Sequence, residues 1–119
     1  MTEKKVKITF NMPKQMNLEV RAKVIEDEYG MRGKSLWIQE AVESLLNMSG
    51  FEDYVSYSNE MERFDVVDSV VFPRSVKLSI EKAVVAVRIK YPALEGVQSH
   101  ILRAAILQRL LGHKVEKNK

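Results

Sequence analysis

VKITFNMP, Val6 to Pro13, is the stretch on which the reading of this chain turns. Val6, Ile8, Phe10 and Met12 alternate with Lys7, Thr9 and Asn11, which is the period of two of a strand with one buried face. Pro13 ends it, because proline has no N–H to give a ladder. A single short strand cannot stand alone and must pair with a copy of itself. The chain supplies one: a β-rich run from Val66 to Phe72, read as DSVVFP at its end, stops at Pro73. The two strand-ending prolines lie 73 − 13 = 60 residues apart.

Each strand is followed by two helical patterns. Asn17 is placed to cap the first helix. Its Leu18, Ala22, Ile25 and Tyr29 form one stripe, with Val20 and Val24 opposite, which predicts burial on two sides. YGMRGKS, Tyr29 to Ser35, interrupts the pattern at Gly30. A second helix starts near Lys34, with Ile38, Ala41, Val42 and Leu45 on one side, and closes over Asn47 to Gly50. After the second strand, Ser75 can cap a helix striped by Ile80, Ala83, Val84 and Val87, which Tyr91-Pro92 breaks. The last helix, from about Gly96 to Leu111, carries Ile101, Leu102, Ala104, Ala105, Ile106, Leu107, Leu110 and Leu111. Apolar on most of its circumference, it is expected at the centre or at an interface. The reading is therefore α+β, mostly α: a two-stranded antiparallel ribbon over four helices, two copies of strand-helix-helix in one chain forming a pseudo-dimer. The units span 1–48 and 65–112, joined by an acidic linker at 49–64 with room for one short helical turn, and followed by a basic tail at 113–119.

Composition narrows the function classes. The chain has 119 residues, 45% hydrophobic and 29% charged, which fits an ordered domain. No run of 18 apolar residues is present, so no membrane span is read. MTEKKVKITF has charges but neither an apolar signal core nor a small-residue cleavage site, so no secretion signal is read. The absence of cysteine fits a reducing cytoplasm and excludes disulfides and thiolate metal sites. The net charge is +3, unevenly spread. Residues 1–47 hold 8 Lys/Arg against 7 Asp/Glu, residues 48–66 hold 1 against 5, and residues 67–119 hold 10 against 4. A basic second unit points to nucleic acid, although charge also serves solubility alone.

With TFNMP, the amphipathic helix, the glycine turn and GKS opening a second helix, Val6 to Leu46 resembles the ribbon-helix-helix DNA-binding family, which includes the Arc and methionine repressors. Val66 to Leu111 resembles it more loosely. The family works as dimers of one-unit chains, so the tandem form looks like a covalently linked pair, as in TraY-like accessory proteins of plasmid conjugation. The resemblance implies that outward ribbon side chains read base edges in the major groove of duplex DNA. By register from Pro13 these are Lys7, Thr9 and Asn11, whose types suit guanine, thymine and adenine edges. It also implies phosphate anchoring by backbone amides at the start of the second helix, here Gly33, Lys34 and Ser35, with Gly96, Val97 and Gln98 in the matching place. The second ribbon departs from the pattern. Counting back from Pro73 puts Val67, Ser69 and Val71 outward and Asp68 inward, where it would need a partner. Either the register shifts, or this strand, with Ser69 and Val71 nearest the bases, contributes shape more than readout.

Other motifs carry less. GKS lacks the glycine five residues earlier that a phosphate-binding loop needs, since Glu28 stands there. His100 and His113, without cysteine, do not make a metal site. Glu26, Asp27 and Glu28 form a charge run at a helix C-terminus, where the dipole disfavours it. Trp37 reads as packing, and no nucleophile-base-orienter set is visible. No cofactor or metal is expected, and an enzyme ranks last. The leading expectation is a sequence-specific duplex-DNA binder, either a repressor or a plasmid-transfer accessory factor, with a second copy on adjacent sub-sites or a relaxase as further partners. The rival is an antitoxin-type interaction module whose acidic connector or basic tail grips a toxin protein.

Overall fold

The alternation of VKITFNM is realised as strand β1 (Lys5–Met12), which pairs antiparallel with β2 (Val66–Pro73) inside the same chain. Val6 stands opposite Phe72, Thr9 opposite Ser69 and Met12 opposite Val66, and these two strands form the whole sheet. The computed structural model describes residues 3–30, 32–57 and 64–112. Its remaining elements are helices α1 (Lys14–Glu26), α2 (Lys34–Leu46), α3 (Phe51–Tyr57), α4 (Arg74–Lys90) and α5 (Val97–Leu110). The architecture is α+β and mostly helical.

The inner face of the ribbon, through Ile8, Phe10, Met12, Val70 and Phe72, closes onto one core shared by the helices. α5 is the hub of that core: it touches α1, α2, α3, α4 and β1, as its nearly all-round apolar surface predicts. Among the described residues there are five helices rather than the four read from the sequence. The additional one, α3, lies in the stretch read as an acidic connector; Val55 is buried, Phe51 and Tyr54 pack on the core, and α3 contacts α4 and α5. The later part of that connector, residues 58–63, and the basic tail with His113 lie outside the described residues.

The helix starts differ from the sequence reading. Asn17 and Ser75 are not caps; α1 and α4 both begin directly after the strand-ending prolines, Pro13 and Pro73. Instead, each N-terminus receives a carboxylate from just before the start of the opposite strand, which antiparallel pairing brings alongside it. Asp65, just before β2, accepts a hydrogen bond from the Lys14 N–H at 3.0 Å. Glu3, just before β1, accepts from the backbone N–H of Ser75 and, at 3.0 Å, from its hydroxyl. Free N–H groups and the helix dipole favour an anion in both places. The two contacts mirror each other across the ribbon. α1 also buries a different side from the expected stripe: Met16, Asn17, Val20 and Val24 face the core, while Leu18, Ala22 and Ile25 are exposed.

Two arginines are buried in α5. Arg109 donates to the Trp37 carbonyl at 2.8 Å and to the Tyr29 hydroxyl at 2.9 Å, lies 3.4 Å from a Glu40 oxygen, and stacks 4.4 Å from the Trp37 ring centre. Trp37 in turn donates its indole N–H to Asp27 at 2.9 Å. That hydrogen bond, helped by Lys23, holds the Asp27 carboxyl below its ordinary range. Burial pushes His100 below the usual histidine value, and the Arg103 charge adds to the effect.

Both shifts have the same sign for stability. Each group binds its proton less readily when folded, so unfolding takes up protons and stability rises with pH. The Asp27 contribution is present above the unfolded value of about 3.9 and is lost as pH falls through the lower folded one. The His100 contribution is present above about 6.5 and is lost as pH falls through its depressed folded value. Urea midpoints measured against pH should therefore fall on the acid side in two stages. His100→Gln should flatten the upper stage and Asp27→Asn the lower. An unchanged profile in both variants would assign the acid sensitivity to other groups.

Candidate nucleic-acid interface

Alternation leaves the second face of the ribbon outside. On β1, Lys5, Lys7 and Thr9 are exposed and Asn11 is half-buried. On β2, Val67 and Val71 are exposed and Ser69 is half-buried. The register counted from Pro73 thus holds without a shift, and Asp68 points inward. Its partners come from three directions: Lys34 Nζ at 2.6 Å, the Asn17 amide at 3.0 Å and the Ser69 N–H at 2.8 Å. Among the described residues, no hydrogen bond or ion pair occupies the Lys7 or Thr9 side chain, so both are free to meet a ligand.

Asn11 is engaged. Arg103 Nη1 donates to its backbone oxygen at 2.8 Å and to its Oδ1 at 3.1 Å. A guanidinium only donates, so the amide oxygen must face Arg103, leaving the two amide N–H donors to point elsewhere. Arg103 is 2% exposed and lies 3.9 Å from the Phe64 ring centre, and its Nε finds no partner among the described residues. Desolvation by burial pushes its pKa down to about 10. The sequence reading missed this residue. The available signal was a charge at a position of α5 surrounded by apolar neighbours on every side.

The start of α2 abuts the ribbon. Ser35 Oγ accepts the Val71 N–H at 3.0 Å, which fixes the helix end against β2. Gly33 is buried, and its N–H is spent on the Gly30 carbonyl at 3.1 Å. A Cβ there would sit 2.2 Å from the Tyr29 carbonyl oxygen, so close backbone approach explains the glycine. Lys34 directs its charge at Asp68 rather than outward. At the start of α5, Gly96 takes the left-handed conformation at φ +60°, Val97 is buried, and Gln98 accepts from Lys77 at 2.5 Å. The Lys34 arrangement has a measurable consequence. Lys34→Ala should destabilise the fold by about 1–2 kcal/mol, because Asp68 loses the cation paired with it but keeps two neutral donors. A thermal or urea midpoint equal to wild type would show that the pair contributes nothing net.

A shallow groove of about 240 Å³ runs between α2 and α4, lined by Val42, Glu43, Leu46, Ser75, Val76 and Ser79. Among the described residues no group of three His, Asp or Glu side chains gathers as metal ligands, and no helix is long and apolar enough to cross a membrane. No family model, no curated protein and no solved structure matches this chain.

Proposed function

We propose that this protein binds duplex DNA sequence-specifically as a tandem ribbon-helix-helix pseudo-dimer, acting as a transcriptional regulator or a plasmid-transfer accessory factor. The observation that carries the reading is the ribbon itself. One face is sealed on the helices, and the other presents two side chains, Lys7 and Thr9, that are unengaged among the described residues. A bare antiparallel pair has the width of the major groove, and these side chains are of the types that read base edges. In this reading Val67 and Val71 supply methyl contacts to thymine. The Lys34 and Ser35 amides, left without partners by helix geometry, approach a phosphate.

The test is fluorescence anisotropy on labelled duplexes over a salt series. Affinity should fall with log salt by roughly 0.9 for each phosphate neutralised. A chain that binds no duplex at low salt, or binds with no salt dependence, is not of this kind.

A further inference from the structure

Leu18, Ala22 and Ile25 stand at i, i+4 and i+7 of α1, the spacing of a single helical stripe, yet all three are exposed, Ile25 at 70%. Sixty residues on, Leu78, Val85 and Ile89 stand at i, i+7 and i+11 of α4 and are equally outside, Ile89 at 78%. Scattered exposed leucines are ordinary, but two aligned stripes at corresponding positions of two helices are not scattered.

We propose that these stripes are the two halves of a contact between copies of this chain, the α1 face of one copy docking on the α4 face of the next. Charge selects this pairing. From Lys14 to Glu28, α1 and its end carry three basic residues against four acidic ones, a net of −1. From Arg74 to Lys90, α4 carries five basic residues against one acidic one, a net of +4. Two α4 faces repel each other, whereas α1 and α4 attract. Glu26 and Glu28, both exposed at the end of α1, then meet the basic flank of Lys82 and Arg88.

The two faces of one chain cannot satisfy each other. α1 leaves the ribbon at Met12, α4 leaves it at Pro73, and antiparallel pairing puts those ends at opposite extremes of an eight-residue ribbon, roughly 20 Å apart. A contact between two different faces does not close on itself, so it adds copies head to tail. One helix face on each side buries less than the roughly 1,200 Å² of a standard interface, so the association is weak and reversible. None of this depends on whether the ribbon binds DNA.

Sedimentation velocity of the full chain without DNA, over a concentration series, tests the proposal. The wild-type mass should climb with concentration past that of two chains. Ile25→Lys and Ile89→Lys should each weaken association at least tenfold, with unfolding midpoints unchanged because both side chains are in water. An equimolar mixture of the two variants retains one intact α1 face and one intact α4 face. It should form a complex of two chains and no larger. A wild type that stays monomeric throughout overturns the proposal. So does a mixture that fails to associate, or one variant that still dimerises alone, which would mean a symmetric contact.

Discussion

Arg109→Met is expected to lower the free energy of unfolding by about 3 kcal/mol, a large share of the stability of a chain this size. Methionine keeps the length and apolar stem of the side chain, so the experiment isolates the charge and its hydrogen bonds. Arg109 joins α5 to the α1–α2 turn and to α2 at once, through the Tyr29 hydroxyl, the Trp37 carbonyl and Glu40, with Asp27 3.8 Å away. Removing it leaves two carboxylates and a phenol that were arranged around one cation. Glu40 and Asp27 are about a quarter exposed and can rehydrate, which keeps the cost at the lower end for a broken buried pair. Arg109→Lys retains the charge but loses the planar fork and the stack on Trp37, and should recover less than half of the loss. The check is a urea or guanidinium midpoint. A methionine variant within about 0.5 kcal/mol of wild type would mean that desolvation cancels the cluster's attraction.

If the ribbon reads DNA, Lys7→Ala should weaken binding to the preferred duplex by about 1–3 kcal/mol while leaving the fold unchanged, because the Lys7 side chain is exposed and makes no hydrogen bond or ion pair among the described residues. The selected site should also be non-palindromic, since Lys7, Thr9 and Asn11 on β1 stand opposite Val71, Ser69 and Val67 on β2. Asn11 has a narrower role than its residue type implies. With its oxygen turned to Arg103, it offers two donors, which favours acceptors such as guanine O6 or thymine O4 over the two-way pairing with adenine. Asn11→Ala is not a clean probe of readout, because it also removes a partner from a buried guanidinium. A site-selection experiment on random duplexes decides the matter. A palindromic site for a single chain, or a preference unchanged by Lys7→Ala, would remove this face from the reading.

The parts of this protein legible in its sequence are those that depend on local period and on proline chemistry. The alternation of Val6 to Met12, the stops at Pro13 and Pro73 and the near-continuous apolar surface of α5 specify the paired strands and the central helix, while the register of the second strand stays open. Each follows from which neighbours along the chain share a face. Where two faces compete, or a partner is remote, local period is silent. α1 carries two apolar sides of similar strength, and only the position of the ribbon and α5 decided that Met16, Val20 and Val24 go in while Leu18 and Ile25 stay out. The helix caps come from Asp65 and Glu3, 51 and 72 residues from the amides they serve, so no local cap signal could reveal them. Arg103 meets Asn11 across 92 residues, and that contact determines how much of the ribbon's outer face is free. α3 has seven residues, too few to persist alone in water, and stands because Val55 finds a buried place against α4 and α5. These features were decided by tertiary structure because their energies arise from burial and from charges brought together by folding, and neither exists until the chain has closed on itself.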